Sequence, residues 1–60
     1  MSDRYEEARQ IVVESGKAST SYLQRQMRLG YNSASAYMER LEANGVISKP
    51  NADGARKVLA

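Results

Sequence analysis

Apolar residues recur at helical spacing in three stretches of the chain. The clearest stripe has the i, i+3, i+4 and i+7 spacing that packs one face of a helix onto a core. It consists of Ala34, Tyr37, Met38 and Leu41. Earlier stripes consist of Tyr5, Ala8, Ile11 and Val12, and of Leu23 and Met27. The pattern predicts three amphipathic helices around one core.

Capping residues bound the first two stretches. Ser2 or Asp3 can accept a hydrogen bond from a free amide at the start of a helix, and Gly16 favours the left-handed conformation in which helices commonly end. Ser19 or Ser21 can cap the next helix in the same way. These signals predict a first helix over residues 3–15 and a second over residues 20–28.

The third stretch follows a tight turn at Gly30. Its helical pattern continues until Gly45, which is a stop signal. We therefore predict a third helix over residues 32–44. A short helix, a glycine turn and a second amphipathic helix make a helix-turn-helix, a motif that usually places its second helix in the major groove of DNA.

The chain changes character after the third helix. Residues 46–48 favour a strand, turn-forming residues follow, and residues 56–59 return to strand character. This order predicts a β-hairpin over residues 46–59, with residues 49–55 as its loop, or wing. The expected fold is mostly α with a small β-hairpin, an α+β class. It is a three-helix winged helix-turn-helix in a single domain over residues 1–60.

The composition narrows the possible functions. The 60 residues contain no cysteine and no histidine, which excludes disulfides, thiolate or imidazole zinc sites, and catalysis by either side chain. A chain of this size buries only about 60% of its unfolded surface, which leaves little room for a substrate pocket. We expect no enzyme activity, no metal and no cofactor. No apolar run approaches the roughly 20 residues that span a bilayer, and a cytoplasmic location is expected.

Positive charge is concentrated in two places. The net charge of the chain is +2, but residues 19–31 alone carry +2 and residues 46–60 carry another +2. The cations are Arg25, Arg28, Lys49, Arg56 and Lys57. In a helix-turn-helix followed by a hairpin, these two regions flank the groove-entering helix and meet phosphates. Basic pairs scattered over a solvated surface would give the same count, so charge alone leaves both interpretations open.

The face of the third helix opposite its apolar stripe is the candidate reading surface. At about 100° per residue it holds Asn32, Ala36, Glu39 and Ala43, with Ser33, Ser35 and Arg40 on its flanks. The N-terminal end of this helix is expected to reach base edges. The amide of Asn32 can pair with adenine, and the hydroxyl of Ser33 can contact bases or phosphate. The alternatives are an N-cap role for Asn32 and a plain solvated surface for the serines.

Several motifs of the chain resemble those of a known family. They are a KASxS start, a QR pair, a GYN turn, an ME pair before a glycine and a GxRxVL-like end. Here they lie in KASTSYLQRQMRLGYNSASAYMERLEANGVI and NADGARKVL. These strings are similar to the C-terminal gamma domain of FtsK-type DNA translocases, from about Tyr5 to Leu59. The most specific spacing joins Gln24, Arg25, Gly30, Tyr31 and Asn32.

The resemblance implies a winged-helix domain that binds short, guanine-rich, skewed sequences and so orients the motor on the chromosome. It also implies contact with a site-specific tyrosine recombinase. The family's recognition helix typically reads GYNRAAR, whereas this chain reads GYNSASA, so two family arginines fall on Ser33 and Ala36. Arginine grips guanine with two hydrogen bonds. We therefore carry over Asn32, Arg25 and Arg56 as DNA contacts, but not the guanine-rich specificity.

The candidate DNA contacts include Lys49 and Lys57 on electrostatic grounds alone. The full set is Arg25, Arg28, Tyr31, Asn32, Ser33, Ser35, Ala36, Arg40, Lys49, Arg56 and Lys57. The expected partners are double-stranded DNA, on which the domain can form multimers, and a tyrosine recombinase. No membrane contact by this domain is expected.

Two other functions stay open. The face that bears Glu39 can instead dock a protein such as a recombinase or a parent regulator, because an acid there repels phosphate. An enzyme is the weakest option, because no base is placed to activate the serine, tyrosine or lysine side chains. The chain begins with Met1 and has no GxxxxGK[ST] phosphate loop, so it is expected to be either an excised domain of a motor or a small stand-alone protein.

Overall fold

Three helices build the protein in a computed structural model that describes residues 3–60. Helix α1 spans Tyr5–Ser15, α2 spans Thr20–Met27 and α3 spans Tyr31–Ala43. The predicted helices start and end within one or two residues of these bounds. The cap predicted at Ser2 lies outside the described residues.

Local sequence signals account for the ends of α1. The Asp3 carboxylate accepts a hydrogen bond from the Tyr5 amide at 3.0 Å, at the start of the helix. Gly16 ends the helix with a φ of 70°, in the left-handed region, and its amide bonds the carbonyl of Val12. Glycine reaches this conformation without the steric cost that a Cβ atom brings.

The turn between α2 and α3 contains a strained residue. Ser19 caps α2 by accepting a hydrogen bond from the Tyr22 amide at 3.3 Å. Helix α2 ends at Met27, and Arg28 follows in the left-handed conformation with a φ of 54°. Within residues 3–60, Arg28 is the one residue other than glycine with a positive φ. Gly30 then precedes α3 in an extended conformation.

The C-terminal segment, residues 46–59, folds back on itself without forming strands. One isolated antiparallel bridge joins Ile47 to Val58, and the Ser48 amide donates to the carbonyl of Lys57 at 2.8 Å. The two-stranded β-hairpin predicted for this segment is therefore not present as strands within residues 3–60. Pro50 has no amide hydrogen, so a regular ladder is interrupted there, and the next backbone hydrogen bond runs from the Asn51 amide to the carbonyl of Ala55 at 2.8 Å.

A side-chain turn replaces the longer hairpin. The carbonyl oxygen of the Asn51 side chain accepts hydrogen bonds from the amides of Asp53 and Ala55, at 2.9 and 3.0 Å. Gly54 has a φ of 81°, which the reversal requires. Asparagine favours such turns because its side chain mimics a backbone carbonyl.

A single buried cluster holds these elements together. Its members are Ala8, Val12, Leu23, Met27, Ala34, Met38, Leu41, Val46 and Ile47. Seven of these residues belong to the three helices, and two begin the C-terminal segment. The buried helical positions are those of the apolar stripes, so the helical part of the predicted fold is confirmed. The core leaves the other face of α3 to solvent.

Candidate nucleic-acid interface

The outer face of α3 is exposed along its N-terminal half. Asn32, Ser33 and Ala36 are exposed, and Ser35 is half-buried. Ala34, Met38 and Leu41 on the opposite face are buried. The packing of the apolar stripe therefore directs the small polar side chains of this helix toward solvent, where they can meet a ligand.

The first turn of α3 is open to a ligand. Gly30 is the N-cap residue, and no side chain among residues 3–60 caps the helix. Asn32 lies inside the helix as its second residue, so its amide is not used as the N-cap. Tyr31, the first residue, has 64% of its surface exposed. Free amides and a positive dipole at this end favour anionic groups.

Two arginines precede α3 in the chain, Arg25 in the last turn of α2 and Arg28 in the turn that follows. Arg25 and Arg28 are both exposed, and neither forms an ion pair within residues 3–60. Arg28 is held by the strained turn described above. Unpaired cations of this kind remain available to phosphate groups.

The C-terminal segment supplies two more such cations. Lys49 and Lys57 are exposed, and neither forms an ion pair in the part of the chain that the structure describes. Lys49 begins the loop and Lys57 follows it, beside the bridge between Ile47 and Val58. Both lysines therefore depend on the position of the segment for their own position.

Arg40 is engaged within the protein. Its guanidinium donates two hydrogen bonds of 2.9 Å to the carboxylate of Asp3. It also stacks on the rings of Tyr5 and Tyr37, with distances of 4.5 and 5.8 Å from Cζ to the ring centres. The hydrogen bonds from Arg40 are the main reason that the pKa of the Asp3 carboxyl is lowered. The structure thus provides Arg40 with a carboxylate and two aromatic neighbours.

Arg56 is also engaged, and more deeply. Its Nη1 donates to Oε1 of Glu42 at 2.6 Å and lies 3.4 Å from the carbonyl oxygen of Ser48. The side chains of Arg56 and Glu42 are only 17% and 29% exposed. The direct DNA contact predicted for Arg56 stays a prediction, but its guanidinium already has a carboxylate partner.

A cleft of about 500 Å³ lies between residues 54–56 of the C-terminal segment and the starts of α2 and α3. One wall holds Gly54, Ala55 and Arg56, and the other holds Ser19–Ser21, Gln24 and Tyr31. Its lining also includes Ala18 and Met38, and it is more apolar than polar. Within residues 3–60 no cluster of three or more acidic, histidine or cysteine residues is placed to hold a metal ion.

Sequence reasoning missed the partners that occupy Arg40 and Arg56. Asp3 lies 37 positions from Arg40, and Glu42 lies 14 positions from Arg56. Local patterns report neighbours three or four positions apart on a helix, so neither pair had a local signal.

Among residues 3–60 no helix is both long and apolar enough to cross a bilayer.

Comparison with known proteins gives consistent matches over almost the whole chain. Residues 2–60 match the Ftsk gamma domain family. The DNA translocase FtsK of Treponema pallidum is 51% identical over 55 residues, which cover 92% of this chain and 7% of the translocase. Those of Campylobacter jejuni subsp. jejuni (strain 81-176) and Rhizobium meliloti are 47% and 49% identical over 55 and 57 residues.

These relatives are much longer than the chain. The matched regions take in 92% and 95% of this chain but only 6% of the length of the Campylobacter and Rhizobium translocases. The family match over residues 2–60 includes the three helices and the C-terminal segment described above. With a family match over residues 2–60, the chain belongs to the Ftsk gamma domain family.

Proposed function

We propose that this domain binds double-stranded DNA as a winged helix-turn-helix, with the N-terminal half of α3 in the major groove. The observation that carries the proposal is the exposed start of α3, preceded in the chain by Arg25 and Arg28, which have no carboxylate partner within residues 3–60. A major groove about 12 Å wide admits one α-helix. The relatives named DNA translocase FtsK support the same proposal.

The flanking cations give the complex its affinity. In this proposal Arg25 and Arg28 bind phosphates on one side of α3, and Lys49 and Lys57 bind them on the other, where the C-terminal segment acts as the wing. These four side chains are exposed. Phosphate contacts position a protein on the duplex without reading its sequence.

Sequence reading is assigned to the start of α3. Asn32 pairs with adenine in this proposal, and Ser33 and Ser35 contact base edges or sugar-phosphate groups. Ala36 allows close approach to the base pairs. Because Ser33 and Ala36 stand where the family's arginines are expected, the preferred sequence differs from the guanine-rich target. In a longer translocase, such a domain would orient the motor along the chromosome.

A second function is favoured by one observation. Glu39 is exposed on the outer face of α3 and forms no ion pair within residues 3–60. An uncompensated carboxylate repels phosphate and suits a basic patch on a protein. A site-specific tyrosine recombinase is the proposed partner for that surface, either on its own or together with DNA.

Titration of the domain with a random-sequence duplex tests the primary proposal. With four phosphate contacts, log K is expected to fall with a slope of about −3 to −4 against log salt. Arg25→Ala is expected to make the slope about 0.9 shallower for every duplex. Arg9→Ala, at an exposed arginine on α1, is the matched control and leaves the slope unchanged.

Two outcomes contradict this proposal. One is the absence of duplex binding, and the other is binding that does not respond to salt. Selection of bound duplexes from a random pool then reads the preferred sequence, which Asn32→Ala is expected to change. If the unmodified domain binds no duplex but a recombinase shifts the amide resonances of α3, the second function replaces the first.

A further inference from the structure

The C-terminal segment is tied to α3 by one charged contact. Arg56 of the segment and Glu42 of α3 form an ion pair of 2.6 Å. Within residues 3–60 no other ion pair joins this segment to a helix.

The contact is placed at the base of the loop. Besides Glu42, the guanidinium of Arg56 approaches the carbonyl of Ser48 on the opposite side of the turn. The hydroxyl of Ser48 in turn accepts from the Lys57 amide at 2.9 Å. Arg56 thus connects both sides of the turn to α3 at one point, and residues 49–55 project beyond it.

We infer that Arg56 and Glu42 form a positioning pair that holds the C-terminal segment beside α3 and so places Lys49 and Lys57 for phosphate contact. This inference rests on the proposed DNA binding. Arg56 acts through the segment, since its own guanidinium is largely covered and bonded to a carboxylate. Val46 and Ile47 anchor the start of the segment in the core, and backbone hydrogen bonds join Ser48 to Lys57 and Leu59 to Val46. Two-stranded pairing of this kind is only marginally stable in water, so the bond from Arg56 to Glu42 adds a contact that fixes the base of the loop against α3.

Removing Glu42 separates this role from a simple electrostatic one. Glu42→Gln removes a negative charge, so general electrostatics predicts equal or tighter binding to DNA. A positioning pair predicts the opposite, because the lysines lose their alignment when the segment is released. The sign of the change in affinity therefore distinguishes the two roles.

The experiment measures duplex affinity and segment order in matched variants. Glu42→Gln and Arg56→Gln are each expected to weaken binding about three- to tenfold at about 0.1 M salt, as when a phosphate contact is lost. Both are expected to lower the amide heteronuclear Overhauser effects of residues 49–55. The reversed pair, Glu42→Arg with Arg56→Glu, is expected to restore much of the duplex affinity and of the Overhauser effects in residues 49–55. Glu6→Gln, at an exposed acid of α1, is the control that leaves segment order unchanged.

Arg56→Lys provides a variant that keeps the charge. It loses the guanidinium whose Nη1 bonds Glu42 and approaches the carbonyl of Ser48, and its ammonium ends a different side chain, so we expect reduced order in residues 49–55. Circular dichroism verifies that each variant remains helical, and Arg56→Lys replaces Arg56→Gln if that variant unfolds.

The inference is overturned if Glu42→Gln binds DNA as tightly as the parent while Arg56→Gln weakens binding and makes the salt slope about 0.9 shallower. That result would make Arg56 a phosphate contact. If the parent domain binds no duplex, the DNA proposal fails, and the order of residues 49–55 decides the inference by itself. Unchanged order in both Glu42→Gln and Arg56→Gln then rejects the positioning pair.

Discussion

Arginines at two ends of α3 have opposite surroundings. At its C-terminal half, Arg40 belongs to a cluster formed with Asp3, Tyr5 and Tyr37, which we call the N-terminal cluster. Near its start, Arg28 is exposed and forms no ion pair within residues 3–60. Both are arginines on a basic domain, so charge count does not distinguish them. The intramolecular partner does: Arg40 is bonded to the carboxylate of Asp3, and its predicted DNA contact stays a prediction.

The N-terminal cluster contains further hydrogen bonds that connect all three helices. The amide of Arg4 donates to the Tyr37 hydroxyl at 3.1 Å, and its guanidinium donates to the carbonyl of Met27 at 3.0 Å. Arg4 also forms a two-point ion pair with Glu7. This end of the molecule uses its polar groups to hold the start of α1 against α2 and α3. The turn before α3 instead tolerates strain at Arg28.

Arg28→Gly is expected to change binding and stability in opposite directions. The loss of one phosphate contact weakens duplex binding about five- to tenfold at about 0.1 M salt. Glycine relieves the positive φ and raises the free energy of unfolding by about 0.5 to 1 kcal/mol. Duplex titration and urea denaturation of the same sample check both effects. Equal affinity for DNA would show that Arg28 makes no phosphate contact.

Tyr37→Phe tests the stabilising side of the comparison. It removes the hydroxyl that accepts from the Arg4 amide, so we expect a loss of about 1 kcal/mol in the free energy of unfolding. DNA binding of the folded protein is expected to remain unchanged. Tyr31→Phe is the matched control, because the ring of Tyr31 lies exposed at the start of α3. A larger loss of stability in the control would contradict the assignment of the two regions.

The smallest expected effect is the pH dependence of the N-terminal cluster. Hydrogen bonds from Arg40, and then from the Tyr5 amide, lower the pKa of Asp3 from its ordinary value of 3.8. A carboxyl with a lowered folded-state pKa stabilises the protein above its unfolded-state value, and this stabilisation is lost as pH falls through the folded-state pKa. We therefore expect the urea midpoint to decrease as pH falls below about 4.

Asp3→Asn isolates that contribution. The variant is expected to have a lower urea midpoint than the parent at pH 7 and to approach the parent at about pH 2. Arg40→Gln is expected to reduce the acid dependence in the same way, since it removes the main cause of the lowered pKa, but to stay below the parent at about pH 2 because it also loses the stacking on Tyr5 and Tyr37. If acid lowers the midpoint of Asp3→Asn as much as that of the parent, the pair does not contribute to the pH dependence.

The helices were accessible to sequence reasoning because their signals are local. Apolar stripes depend on residues three or four positions apart, and Gly16 acts on the helix it ends. The same reasoning overestimated the strand content of the C-terminal segment. Its strand-like composition produced one bridge, between Ile47 and Val58. Turn propensity identified the reversal, which the Asn51 side chain closes. Pro50 lacks the amide that a continuous ladder needs at its position.

The sequence by itself determined three amphipathic helices, a basic helix-turn-helix and the motifs that point to the family, since all of these are written in short-range spacing. Only the tertiary structure decided which cations have partners. Asp3 reaches Arg40 across 37 positions, and Glu42 reaches Arg56 across 14. Ion pairing depends on which side chains the packed core brings within about 4 Å, and a linear pattern does not contain that distance.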